Sequence, residues 1–397
     1  PEDQRYERFD AKTQHARVDA EAAFGAAYKD LIEELRYNLT EDPDEPVPVY
    51  PFAYDWRKPL VETQAQLHEM VLEVIDRTKL LRYYGRTDWK KKPAVNLVGH
   101  SMGGLIIAGY LAEYGGKYVD KVATLGSPFR GSHEAQIKVA TGTSTLTESS
   151  SSREREAARM MPALYHLLPQ YKNAVTWKNG DEANLFDVET WQQGVFETIA
   201  RYLRKYGVER YRQAEARKKA KEILGGMLSQ AEAHRNALEA KNKLSEMGLK
   251  KDAWLCLVGV DAKTRVSMKI GKQNGKPVFD LTSADRKNAW EDDEYDSVET
   301  GDGTVPFEGA IPPWRGPESL VCVCPGDFGY WEVRDVALTK ASGFHGMLCN
   351  LNLAQRLVVA HFLDQPKRKG LWGRRPPGVS SGQWAPPLKG LKDKRPK

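Results

Sequence analysis

The sequence predicts an α/β fold, a doubly wound and mostly parallel sheet with a helical cap inserted into it. Three observations carry the prediction. Short apolar runs alternate with segments of helical period, as in sheets whose strands are joined by crossover helices. One such run, Val95-Asn96-Leu97-Val98, meets Gly99-His100-Ser101-Met102-Gly103-Gly104 and is followed at once by apolar Leu105-Ile106-Ile107-Ala108. The alternation then breaks over residues 132–250, which read as charged helices interrupted near Gly207 and Gly225-Gly226. The expected layout is therefore a first core part at 1–131, a cap at 132–250, a second core part at 251–364 and a tail at 365–397. A chain of 397 residues suffices for one large core with insertions, or for two modest domains.

Phe24, Tyr28, Leu31 and Leu35 recur at helical spacing, so residues 13–38 read as an amphipathic helix. After an acidic turn at Glu41 to Pro46, Val47-Pro48-Val49-Tyr50-Pro51-Phe52-Ala53-Tyr54 is expected as a short extended strand, its prolines suiting an edge. A second helix carries Leu67, Val71, Val74 and Ile75 on one face. The strand at Val95 and its helix, ending near Gly115-Gly116, come next, then a buried strand at Val122-Ala123-Thr124-Leu125-Gly126. The cap opens with a Ser/Thr-rich loop (Thr141 to Ser152) and an apolar patch, Met160 to Pro169, which reads as packing between cap and core in preference to a hydrophobic lid. Residues 253–260 and 319–324 supply two more strands, and 347–363 a last helix.

Hydrophobic residues at 41% and charged residues at 28% are globular values. No stretch reads as a membrane span or a signal-peptide core, and the reading leans to a cytoplasmic location. The net charge of +5 is unevenly spread: residues 365–397 hold ten Lys or Arg against one acid, a local +9 that leaves the remainder at −4. This Pro- and Gly-rich tail is expected to be disordered and solvated. Peripheral contact with an anionic lipid surface is its sharper reading; nucleic acid is not expected as a partner. Cys256, Cys322, Cys324 and Cys349 lack the paired spacing of a zinc site, and Cys322 and Cys324 read as small buried hydrophobes on one strand face. Neither a metal nor a cofactor is expected.

Gly99-x-Ser101-x-Gly103 between a strand and a helix is the sequence form of a nucleophile elbow, as in α/β-hydrolases. The turn strains the serine backbone and leaves little room two residues to either side, where Gly99 and Gly103 stand. Such a serine is a weak nucleophile and requires a base and an acid elsewhere. Of eight histidines, His345 in the glycine-containing loop Ser342-Gly343-Phe344-His345-Gly346 lies where this fold keeps its base; His133 and His166 are rivals, and His100 cannot turn back to its neighbour's hydroxyl. For the acid, Asp261 directly follows a strand, while Asp302 sits in the tight turn Gly301-Asp302-Gly303. Either choice keeps the order Ser, Asp, His.

Tyr54-Asp55-Trp56-Arg57, Gly99-His100-Ser101-Met102-Gly103-Gly104, Leu125-Gly126-Ser127-Pro128-Phe129-Arg130-Gly131-Ser132, Gly301-Asp302-Gly303-Thr304-Val305-Pro306 and Phe344-His345-Gly346-Met347-Leu348 occur in that order. Together they resemble the lecithin:cholesterol acyltransferase-like family of α/β hydrolases, over residues 24–363. The resemblance implies Ser101 as nucleophile, Asp302 as acid and His345 as base, and it demotes Asp261. Asp55 and Arg57 are expected to pair and fix their loop. Tyr54, Trp56, Ser127 and Leu164 are expected to line the substrate site, with Trp56 against an acyl chain.

One oxyanion donor would be the backbone N–H of Met102. The partner donor is expected from a loop after an earlier strand, and nothing before Tyr54 reads as that loop, so the chain is expected to lack its first core strands. Losing one such donor costs ~3 kcal/mol of barrier. The expected activity is hydrolysis of carboxylic esters of lipid-like substrates, or O-acyl transfer from them, through an acyl-enzyme. The alternatives are an amidase or thioesterase with the same triad, and a non-catalytic binding or scaffold protein of the same fold.

Overall fold

The computed structural model describes residues 25–142, 151–282, 284–290, 299–364 and 370–394. In chain order, α1 (Gly25–Leu39) and α2 (Leu60–Leu80) precede β1 (Val95–His100), α3 (Met102–Tyr114) and β2 (Val119–Leu125). The cap follows with α4 (His133–Thr141), α5 (Ser151–Met160), α6 (Pro162–His166), β3 (Val175–Trp177), α7 (Gln193–Tyr206) and α8 (Gln213–Glu239). The core resumes at β4 (Trp254–Gly259), and four short strands come next: β5 (Thr264–Arg265), β6 (Met268–Gln273), β7 (Lys276–Asp280) and β8 (Asp285–Arg286). Then come α9 (Phe307–Ala310), β9 (Val321–Val323), α10 (Val333–Met347), α11 (Asn352–Phe362), β10 (Trp372–Gly373) and β11 (Lys392–Asp393).

The core sheet has the order β1-β2-β4-β9, and all three pairings are parallel. β2, β4 and β9 are almost wholly buried and the edge strand β1 partly so, and period-2 alternation divides their side chains between two cores. Trp254, Cys256, Val258 and Cys322 pack with α2 and α3, whereas Leu255, Leu257, Val321 and Val323 pack with α1, α10 and α11. Helices thus cover both faces, giving the doubly wound α/β-hydrolase arrangement expected from the sequence. Cys322 and Cys324 do share a face and are buried. No helix among the described residues is long and apolar enough to cross a membrane.

Four sequence expectations require correction. Residues 47–54 are extended but join no ladder; Pro48 and Pro51 have no N–H to contribute, and the segment is held instead by side chains, with Val49, Phe52 and Tyr54 against the two cores. The expected last helix at 347–363 is α11, which begins five residues later at Asn352; a further helix that the sequence reading lacks, α10, precedes it and ends at Met347. The cap is neither purely helical nor confined to 132–250, because β3 pairs in parallel with β6, and β6 forms an antiparallel hairpin with β7. Met268, Ile270 and Phe279 from that hairpin are buried with Tyr165, Trp191 and Leu224 of the cap. Asn274-Gly275, both at positive φ (52° and 75°), form the two-residue turn, a strong hairpin signal between alternating residues.

The fourth correction concerns the tail. Residues 370–394 do not form a solvated chain; Leu371, Val379 and Leu388 are buried, and each such side chain contributes ~1.5–3 kcal/mol. Arg374 and Arg375, counted in the sequence as surface charge, are buried and paired with Asp327 and Asp393. The Cys322 N–H donates to the Arg374 carbonyl at 2.8 Å, and Trp384 Nε1 to the Leu320 carbonyl at 2.8 Å. The tail therefore covers the outer edge of β9 and supplies hydrogen bonds that an open edge would lack. The apolar patch packs between cap and core, Met161 and Ala163 joining the α2/α3 core and Tyr165 and Leu168 the cap core. The Ser/Thr-rich stretch at 143–150 and the helical reading of 13–24 lie outside the described residues.

Candidate active site

The site lies at the carboxyl ends of the core strands, where open α/β sheets present ligands. At the end of β1 the chain turns directly into α3 through Ser101, whose backbone has φ 53° and ψ −126°. A non-glycine residue at positive φ is strained. The turn is held by the Ser101 N–H, which donates to the Leu125 carbonyl of β2 at 2.9 Å. Room is short at Gly99, where a Cβ would lie 2.8 Å from the Gly103 carbonyl carbon and from Ile107 Cδ1. The matching expectation for Gly103 does not hold, since a Cβ there meets nothing within 4 Å. The tight position is Gly104, where a Cβ would lie 2.1 Å from Ser127 Oγ.

Ser101 Oγ is 2.9 Å from His345 Nε2, and His345 Nδ1 is 2.6 Å from Asp302 Oδ2. Asp302 is 1% exposed. Its other oxygen, Oδ1, accepts the backbone N–H groups of Thr304 at 3.0 Å and Val305 at 2.7 Å. The carboxylate is an acceptor only, so Nδ1 carries a proton toward it and Nε2 is left with a lone pair toward the serine hydroxyl. The expected loop around His345 is a kink: Gly343 (φ 78°) interrupts α10 and redirects the chain two residues before the histidine.

Two further glycines bring these groups together. A Cβ on Gly126 at the end of β2 would lie 2.9 Å from Asp302 Oδ2 and 3.2 Å from His345 Nδ1; one on Gly259 at the end of β4 would lie 2.4 Å from Asp302 Cβ. Sequence reasoning gave neither a role. The available signal was a glycine closing three successive core strands, at 99, 126 and 259.

The rival residues have other partners. Asp261, at φ 60°, donates its N–H to Thr300 Oγ1 at 2.8 Å, while the His345 ring faces Asp302. His133 bonds Gln136 and Tyr171, each at 2.9 Å, and burial lowers its pKa to about 4. His166 is buried against His234, with ring centroids 5.0 Å apart, and burial lowers its pKa to about 3.

The expected substrate-lining residues are placed differently from one another. Trp56 is 53% exposed; beside it Asp55 and Arg57 pair at 2.8 Å, and the Arg57 hydrogen bond holds the Asp55 carboxyl below its usual range. This loop meets the cap, where the Ala163 N–H approaches the Arg57 carbonyl at 3.5 Å. Tyr54 stacks on Phe52 at 5.7 Å, and burial pushes its phenol up to about 12. Leu164 is partly buried between the α2/α3 core and the cap core. Ser127 is 2% exposed and wedged under Gly104, a packing position. Met102 is the first residue of α3, so its N–H has no acceptor within the helix.

The sequence model described as "Lecithin:cholesterol acyltransferase" matches residues 26–318, most of the chain. The chain belongs to that family. Membership makes it an enzyme of the lipid esterase and acyltransferase type. A search of curated proteins returned no match. Among solved structures, a chain from the crystal structure of the Tle4–Tli4 complex is similar at 12% identity and a TM-score of 0.49, covering 78% of this chain and 67% of the other.

Proposed function

We propose that this family member is a serine-dependent carboxylic ester hydrolase on lipid-like substrates, with O-acyl transfer to an alcohol as the second outcome of the same acyl-enzyme. The observation that carries the reading is the continuous chain Ser101 Oγ–His345 Nε2–Asp302, with separations of 2.9 and 2.6 Å. His345 Nε2 takes the hydroxyl proton as Ser101 Oγ bonds to the carbonyl carbon. Asp302 holds the ring in the required tautomer and stabilises the imidazolium. The carbonyl oxygen, now negative, lies toward the N-terminus of α3, where the Met102 N–H donates to it and the helix dipole favours the charge. His345 returns its proton to the leaving alkoxide, leaving the acyl group on Ser101. Water or an acceptor alcohol then repeats the sequence in reverse.

In this reading Trp56, Tyr54 and Leu164 flank the acyl chain at the seam of cap and core, and Ser127 supports the elbow from below. The reading is tested by fluorophosphonate labelling and by hydrolysis of esters of graded chain length, with and without an acceptor alcohol. Labelling of the wild type and its loss in Ser101→Ala are expected. Equal labelling of both would overturn the nucleophile, and a wild type that neither labels nor hydrolyses would favour a binding or scaffold role.

A further inference from the structure

His100 immediately precedes the nucleophile, and its ring is engaged at both nitrogens. Nε2 lies 3.0 Å from the backbone carbonyl oxygen of His345. That oxygen only accepts, so Nε2 carries the proton. Nδ1 is then an acceptor, and the Tyr28 hydroxyl of α1 donates to it at 3.2 Å. The His345 N–H donates to the Asp302 carbonyl at 3.0 Å. The base is thus clamped at its N–H by the residue of the acid and at its carbonyl by the residue beside the nucleophile. Local structure holds this peptide weakly: Gly343 (φ 78°) breaks the helix just upstream, and the Leu348 N–H reaches the same carbonyl only at 3.4 Å.

We propose that His100 is a positioning residue, held in one tautomer by Tyr28, that ties the His345 backbone to the elbow and so sets the imidazole between Ser101 and Asp302. The inference rests on the proposed roles of those three residues. Geometry gives His100 no access to the transferred proton, because both its nitrogens are occupied. It must also stay uncharged while its neighbour, 4.9 Å away between ring centroids, cycles through the imidazolium. Burial, with the nearby His345 as a second cause, meets that requirement by lowering its pKa to about 3.

The test uses the full chain as wild type, His100→Leu, His100→Gln, Tyr28→Phe and Ser101→Ala. Steady-state hydrolysis of a p-nitrophenyl ester, fluorophosphonate labelling rates and thermal unfolding are read for each. Loss of the donor to the His345 carbonyl is expected to lower kcat by about 10- to 100-fold in His100→Leu, with KM little changed. His100→Gln, whose amide N–H reaches for the same carbonyl, is expected to recover much of that loss, and Tyr28→Phe to lose a few-fold in kcat. A folded His100→Leu with wild-type kcat overturns the proposal, as does a glutamine variant as impaired as the leucine one. If His100→Leu does not fold, Tyr28→Phe decides: an unchanged kcat overturns the proposal, and a lowered kcat at unchanged KM upholds it. A wild type that fails to label, or labels as Ser101→Ala does, refutes the roles beneath the proposal, a result distinct from all of these.

Discussion

Replacing Asp302 by Asn tests the acid with almost no change of shape. Oδ1 accepts two backbone N–H groups, at 3.0 and 2.7 Å. The asparagine oxygen therefore stays in that position, because turning the amide over would set its NH₂ against both donors and leave two buried N–H groups unpaired, at about 1–3 kcal/mol each. The amide nitrogen is then fixed where Oδ2 stood, 2.6 Å from His345 Nδ1. It donates, so Nδ1 must accept, and the ring proton moves to Nε2, facing Ser101 Oγ at 2.9 Å. A donor now stands where a base is required. The expected loss in kcat is about 10⁴-fold, or roughly 5 kcal/mol of barrier, with thermal stability nearly unchanged. Ester hydrolysis and thermal unfolding, measured on the same preparations, check it. Asp261→Asn is the control: asparagine tolerates the φ of 60° there, and its kcat should stay within about tenfold of wild type. The reasoning fails if Asp302→Asn keeps kcat within tenfold, or if Asp261→Asn is the inactive variant.

Three other perturbations test the frame around the site. Gly104→Ala places a Cβ 2.1 Å from Ser127 Oγ and 2.5 Å from its Cβ, so about 1–3 kcal/mol of stability should be lost. Adding Ser127→Gly should recover part of it, and strict additivity in denaturant unfolding of the double mutant would refute the contact. Asp327→Asn leaves the buried Arg374 guanidinium without its counter-charge and should cost about 3–5 kcal/mol in chemical unfolding; a midpoint equal to that of wild type would show that the tail is not anchored there. His133 has its folded pKa lowered to about 4 by burial, so between pH 6.5 and 4 the unfolded chain binds the extra proton. Its contribution is complete above pH 6.5 and is lost as the pH falls toward 4, by about 3 kcal/mol at most. A His133→Gln variant whose stability depends on pH as steeply as wild type would remove His133 as a cause.

The elements of the core were legible because each rests on a local signal. The apolar runs of β1, β2 and β4 and the 3.6-residue period of α2 depend on nearest neighbours in the chain. The Asn274-Gly275 hairpin is an equally local signal, with Lys269 the polar position between Met268 and Ile270, but its pairing with β3 is not local. The tail was misread for a different reason. Composition counts Arg374 as a surface charge, and only the presence of Asp327 beside it makes burial tolerable. The prolines at 48 and 51 show the opposite bias, in which an extended segment with β-like composition has too few N–H groups to enter the sheet.

By itself the sequence determined that Ser101 lies on a strand-to-helix turn, that the α/β alternation breaks over 132–250 and that Asp261 and Asp302 are the candidate acids. These follow from backbone preferences and periodicity, which act over a few residues. The motif resemblance already favoured Asp302 over Asp261; the tertiary structure sets that carboxylate against His345, and it alone decided which glycines must be bare and what His100 touches. His345 is 244 residues from Ser101 and 43 from Asp302, and Tyr28 is 72 from His100. Contacts over such separations depend on the order and register of β1, β2 and β4 and on the paths of the loops beyond them. They are properties of the assembled sheet, and no local repeat in the chain encodes them.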